Sequence, residues 1–224
     1  MTKTKERPIV LTAQEVNAVL AGDKTQHRVI IENTEATQCL FNGDWRYDGR
    51  DFLDDGDCTP DPKGTHYVER LEPDQGEENQ YTEDYRCIGH CPLGAIGDRL
   101  WVQEPSLIHC DWDWFYADNT LVKCKEPFSG NDLDLPWDDE HQEYIGPIGA
   151  EYLPRWASRL LLEITDIRIE RVQDITLGDS LKEARDGLMD FAVDYWMPKH
   201  GEAAWFKNPW VWAIEFKVID GVTE

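Results

Sequence analysis

Apolar residues along the chain fall into short alternating runs, separated by turn formers, with one early stretch at helical spacing. Ile9-Val-Leu11 predicts a short strand. Thr12 and Glu15 then form a capping box, in which hydroxyl and carboxylate satisfy each other's free backbone donors. The helix they open places Val16, Val19 and Leu20 on one face, and Gly22 closes it. Lys24 to Ile31 reads as a strand that finishes in the β-branched Val29-Ile30-Ile31. Leu93 to Asp98 is a turn, and Arg99 to Glu104 is a strand.

Leu160 to Val172 is the longest strand signal. Leu160, Leu162 and Ile164 alternate in one phase, and Ile167 and Ile169 in the other. A phase switch near Thr165-Asp166 predicts a bulge or sharp bend, of the kind barrels use at corners. Thr176-Leu-Gly-Asp179 caps a helix expected to hold Leu181, Glu183, Ala184 and Leu188, with Gly187 weakening or closing it. Further helical turns cover Met189 to Trp196. Trp210, Trp212, Ile214, Phe216 and Val218 alternate with Val211, Ala213, Glu215 and Lys217, which predicts a half-buried terminal strand. The class is therefore α+β. The strand–helix–strand start and the separated strands suggest a small mixed β-barrel with flanking helices, formed as a single domain over 1–224.

Charge changes this picture in two places. The net charge is −23. Residues 44–84 hold 14 acids against 4 bases, and residues 111–143 hold 10 against 2. These two stretches carry −18 of the total, so they read as two acidic loop insertions on a nearly neutral core. The first, with Asp54-Asp55-Gly-Asp57 and Thr59-Pro-Asp-Pro62, is expected to have little regular structure. The second starts aromatic (Trp112, Trp114, Phe115, Tyr116) and becomes an acidic loop. Such a surface repels phosphate backbones and disfavours non-specific duplex binding. Apolar residues make up 41%, enough for a core, with no uninterrupted apolar stretch of spanning length. The first eight residues lack an apolar signal region, so a cytosolic protein without a membrane partner is expected.

Five segments, in order, resemble the ASCH superfamily, in particular phage and prophage proteins labelled uncharacterised or morphogenetic. They are Pro8 to Leu11, Leu20 to Arg28, Cys91 to Glu104, Leu153 to Arg159 with the following strand, and Asn208 to Phe216. The most specific parts are Gly97-Asp-Arg-Leu-Trp-Val102 and the closing Trp210-Val-Trp212. The resemblance implies a PUA-like barrel with a cleft for RNA, a nucleotide or a modified base. Some members are amidohydrolases that remove acyl groups from the exocyclic amine of cytidine, using a Lys, a Thr and a Glu. Lys24 matches the Lys, and Glu183 lies in the helix where the Glu is expected. His27 stands where the Thr would be, and Val29 also departs from the usual motif.

The side chains themselves fit such a cleft. A partly buried Lys24 can act as a base or polarise a carbonyl, with Glu183 shuttling the proton, although a solvated turn Lys is the ordinary alternative. His27 titrates near neutral pH and can be a base, a ligand contact or a satisfied strand residue. Thr25 and Arg28 flank it, and the planar guanidinium of Arg28 suits phosphate or carboxylate. Trp101 and Trp210 can stack a base, as can Trp212, against the competing reading that two of the three are core. Glu104, at a strand end, can read an exocyclic amine. Cys87-Ile-Gly-His-Cys91, with His109-Cys110 and Cys124 downstream, offers thiolate or imidazole ligands for a structural zinc, with Cys87, Cys91, Cys110 and Cys124 as the candidate set, against the competing expectation of free thiols and no cofactor.

Two other functions compete. The acidic insertions can mimic nucleic acid and occupy the basic groove of a host DNA- or RNA-binding protein. A protein–protein module in phage assembly is the plainer alternative.

Overall fold

The computed structural model describes residues 4–31, 45–47, 65–70, 85–108, 114–122 and 146–221. The chain begins with β1 (Glu6–Val10), α1 (Ala13–Ala21) and β2 (Gln26–Ile30). The capping box forms as expected: Thr12 Oγ1 accepts from Glu15 N, and Glu15 accepts from Thr12 N. Gly22 ends α1 at φ 81°, in the left-handed region that suits glycine. The helix face differs from expectation at one position. Val16 and Val19 are buried, but Leu20 is exposed and Glu15 is buried instead.

The next strands are β3 (Trp45–Tyr47), β4 (Thr65–Arg70), β5 (Tyr85–His90), β6 (Arg99–Gln103), β7 (Ser106–Ile108), β8 (Trp114–Tyr116) and β9 (Gly146–Ile148). After them come β10 (Leu160–Arg171), the short α2 (Leu177–Lys182), a π-helical turn at Asp190–Trp196, α3 (Met197–His200), α4 (Glu202–Phe206) and β11 (Trp210–Gly221). Within 44–84, where little regular structure is expected, the described residues form two short strands. Strands β3, β4 and β5 pair antiparallel, with Tyr47 opposite Val68 and Tyr67 opposite Cys87. Short aromatic and β-branched runs pair across the acidic segments, which a local reading cannot see. A second three-stranded sheet, in the order β8-β7-β9, brackets the second acidic stretch.

The main sheet has the order β1-β6-β10-β11-β2. β1 and β6 are parallel and the other pairs antiparallel. The fold is thus mixed α+β around a five-stranded mixed sheet whose edges are β1 and β2. Its ladder does not close into a barrel among the described residues. The predicted bulge in β10 is present, with a register shift between Ile164 and Asp166. It keeps Leu160, Leu162 and Ile164 buried before it and Ile167 and Ile169 after it.

One core lies between the sheet and α1, built from Ile9, Val16, Leu100, Ile164, Trp212 and Ile214. A second lies on the other face of β11, where Val211 packs with Phe191, Tyr195 and Trp196. The terminal strand is therefore buried on both faces at Val211 to Ile214, and not on one face as the alternation predicted. The helical segment at 190–206 supplies the extra cover. Among the described residues no helix is long and apolar enough to cross a membrane.

The turn between β5 and β6 fastens β1 to the sheet. Asp98 accepts from the Lys5 and Ala95 amides and from the Arg7 guanidinium. Gly94 sits beneath this ion pair at φ 127°, where an added Cβ would meet Arg7 Nη1 at 2.5 Å and Asp98 Oδ2 at 2.8 Å. Gly94→Ala is expected to cost about 1–3 kcal/mol, read as a lower urea midpoint at unchanged slope. An unchanged midpoint would show that the turn does not hold β1.

Candidate functional site

Strand alternation sends Gln26 and Arg28 to one face of β2 and His27 to the other. Lys24 precedes β2, and its backbone forms an antiparallel bridge with Glu183. That bridge requires α2 to stop early. The helix was expected to include Glu183, Ala184 and Leu188, but it ends at Lys182, with Glu183 as its C-cap. Ala184 then adopts φ 58°, a left-handed conformation unusual for alanine. Leu181 and Leu188 are exposed as a result.

The bridge brings two side chains together from distant parts of the chain. Lys24 Nζ donates to Glu183 Oε2 at 2.5 Å, and both side chains are fully buried. Arg28 Nη1 donates to the other carboxylate oxygen, Glu183 Oε1, at 2.9 Å and to Gln26 Oε1 at 2.5 Å. Arg28 Nη2 donates to Glu170 Oε1 at 2.5 Å. The Arg28 ring of contacts is completed by Phe191, whose centroid lies 5.5 Å away. Arg28 therefore orients Glu183, and its fork is not open to a phosphate as the sequence suggested.

His27 is buried, with Nδ1 3.7 Å from Glu15 Oε1 and no hydrogen-bond partner among the described residues. Burial, then the charges of Lys24 and Lys199, hold its pKa well below the usual imidazole value, while Glu15 pulls the other way. At neutral pH His27 is thus an uncharged imidazole. Glu15 lies 3.8 Å from Lys24 Nζ and accepts from the Tyr195 hydroxyl at 2.7 Å. Burial, then the charges of Glu183 and Glu15, push the Tyr195 pKa well above 10, so it remains a donor. Tyr195, Phe191 and Lys199 come from the segment that covers the pair.

An outer ring of ion pairs braces this core. Gln26 Nε2 donates to Asp179 and to Glu215, both at 3.2 Å. Arg168 ties Glu170, Asp179 and Glu215 together at 2.6–3.0 Å. Burial would raise the Asp179 pKa, but the Thr176 and Gln26 hydrogen bonds and the Arg168 charge hold it at about 2.

The other expected residues lie elsewhere or have other roles. Thr25 is half-buried, and its backbone binds Lys182 O and Phe216 N. Glu104 is buried with both oxygens on Arg159, at 2.8 and 2.7 Å, so it is not presented to a base. Arg159 also lies over the Tyr116 ring and pairs with Asp118. Trp101 is half-buried in β6. Trp210 is half-buried, packs against the main core and carries the Arg171 guanidinium at 4.2 Å, while Trp212 is core. Cys91 is a buried free thiol, its pKa pushed up to about 11 by burial. The Cys87 side chain, Cys110 and Cys124 lie outside the described residues, and no group of metal-ligating residues assembles among those described.

The sequence reading overlooked Glu15, Gln26, Glu170 and Tyr195. Glu15 carried a signal, since it shares a helical face with the buried Val19, four residues on. The others declare themselves only through long-range contacts. The chain matches no protein-family model, no curated protein and no solved structure.

Proposed function

We propose that the chain is a cytosolic, PUA-like protein of the ASCH type whose cleft takes a nucleotide or modified base, and that it hydrolyses the amide of an acylated cytidine. The observation that carries this reading is the Lys24–Glu183 hydrogen bond, which joins residues 159 positions apart in a buried setting. These are the two residues that the resemblance assigns to catalysis.

The chemistry needs a proton acceptor for water and a donor for the leaving amine. Glu183 Oε2 takes a proton as water adds to the amide carbonyl carbon. Lys24 stabilises the developing oxyanion and protonates the departing nitrogen as the C–N bond breaks. The short bond between them returns the proton from Glu183 to Lys24. The products are a carboxylic acid and cytidine. Arg28 keeps Glu183 from rotating by occupying its second oxygen. His27, neutral in this setting, replaces the Thr of the family pattern as a contact for the acyl group.

The test is to incubate the purified protein with acylated cytidine nucleosides and follow release of the acyl group. Lys24→Ala and Glu183→Ala are expected to lower turnover by about 10²–10⁴-fold. Absence of turnover in the unaltered protein, together with no nucleoside or RNA binding at low salt, would remove this reading.

A further inference from the structure

Glu15 carries more charge than its place in the helix requires. Its Oε2 closes the capping box, accepting from Thr12 N at 2.9 Å and Thr12 Oγ1 at 3.0 Å. Glutamine serves a capping box equally well, because the cap needs an acceptor and no charge. Yet the residue is a carboxylate only 2% exposed, and burying a charge is unfavourable unless opposite charge meets it. The second oxygen supplies the reason. Oε1 accepts from Tyr195 OH at 2.7 Å and lies 3.5 Å from Lys199 Nζ, 3.7 Å from His27 Nδ1 and 3.8 Å from Lys24 Nζ. Burial would raise the pKa of this group, but the charges of Lys199 and Lys24 and the Thr12 amide help hold it at about 2.

We infer that Glu15 is a positioning residue of the Lys24–Glu183 site, its Oε1 holding the Lys24 ammonium and the Tyr195 hydroxyl in place. This rests on the amidohydrolase reading above. The ammonium then stands between two carboxylates, hydrogen-bonded to Glu183 at 2.5 Å and drawn by Glu15 at 3.8 Å. Lys24 keeps two further N–H groups, one of which serves the substrate carbonyl in this reading. Tyr195, whose ring centroid lies 5.4 Å from Nζ, is fixed over the pair by the same oxygen. One residue thus sets the start of α1 and the aim of Lys24.

Two variants separate these duties. Glu15→Gln keeps the capping acceptor and removes the charge. Thr12→Ala weakens the cap and leaves the charge. On an acylated cytidine, Glu15→Gln is expected to lower kcat about tenfold or more with KM within about threefold, while Thr12→Ala leaves kcat within about twofold. Equal loss in both variants would make Glu15 a structural residue only and overturn the inference.

A second readout does not depend on turnover. In protein labelled with ¹⁵N-lysine, the buried Lys24 ammonium is expected to give a slowly exchanging signal in the unaltered protein and in Thr12→Ala. That signal moves or broadens in Glu15→Gln. If it is unchanged there, the inference fails, whatever the enzyme turns over. If it moves while no acylated nucleoside is hydrolysed, the positioning role stands and the reaction assigned to the site is wrong. Should Glu15→Gln fail to fold, Tyr195→Phe removes only the hydroxyl bound to Oε1. An unchanged Lys24 signal in that variant would equally overturn the inference.

Discussion

Replacing Glu183 alone by leucine is expected to destabilise the protein by about 3–5 kcal/mol, and adding Lys24→Met is expected to restore most of the loss. The asymmetry follows from the charge count of the buried site. Lys24 and Arg28 are matched by Glu15 and Glu183, all four at most 2% exposed. Removing Glu183 leaves two cations facing one fully buried carboxylate, with Glu170 reaching Arg28 from the partly exposed rim. Removing Lys24 as well leaves Arg28 and Glu15, a balanced set, and Arg28 keeps Gln26 and Glu170 as partners. A well-packed apolar pair of similar volume can even exceed a buried ion pair in stability. Urea midpoints of the unaltered protein, the two single variants and the double variant supply the comparison. The double variant is expected to fold and to hydrolyse nothing. That combination would show that the fold does not need the pair, which leaves chemistry as the reason for it. A double variant as unstable as Glu183→Leu would sink the charge argument. A double variant with full turnover would sink the assignment of the site.

What could be read from the sequence divides along the range of the interaction concerned. The Thr12–Glu15 box, the Gly22 cap and the β10 phase switch are local, and each forms as expected. The end of α2 is not local. Nothing in Leu181-Lys-Glu-Ala-Arg185 forbids a further helical turn, yet the chain turns left-handed at Ala184, next to the bridge between Glu183 and Lys24. The strands at 45–47 and 65–70 are similarly invisible from their neighbours, because each is completed by a strand across an acidic stretch.

The site shows the same division. Lys24 and Glu183 were singled out together only through the resemblance, since no spacing rule connects residues 159 apart. From the sequence Arg28 reads as a ligand contact or the partner of a loop acid, and Glu104 as a reader of an exocyclic amine or a surface carboxylate. Both are instead buried against partners that a linear reading cannot assign, Glu170 and Glu183 in one case and Arg159 in the other. The two acidic insertions lie mostly outside the described residues, so the mimicry alternative gains no geometric support. The described sheet offers a counterpoint to their excess charge. Glu170 and Glu215 on its strands and Asp179 on α2 all pair with Arg168, and Arg28 and Lys182 add a cation each to Glu170 and Glu215, which makes that charge structural rather than repulsive.

Stability is expected to fall as pH drops below about 6.5, and His27→Gln is expected to flatten that decline. The folded pKa of His27 lies well below the ordinary value of 6.5, because burial and the charges of Lys24 and Lys199 oppose protonation. An unfolded chain has no such opposition. Below pH 6.5 the unfolded state therefore takes up a proton that the folded state refuses. The stabilisation is complete above pH 6.5 and is lost as pH falls toward the folded value, at about 1.4 kcal/mol per pH unit. His200 is lowered too, by burial and Lys199, and contributes the part that survives in His27→Gln. A further loss begins lower. Glu15 titrates at about 2 in the folded protein against 4.5 ordinarily, so its contribution is present above pH 4.5 and disappears between 4.5 and 2. Glutamine at position 27 cannot protonate, so the variant should show a shallower decline than the unaltered protein below pH 6.5. Urea midpoints across pH 7.5 to 4 supply the measurement. Equal slopes for both proteins between pH 6.5 and 4.5 would show that His27 gains a proton as readily folded as unfolded. The imidazole would then be a charged group within the site, and its place as a neutral contact for the acyl group would be lost.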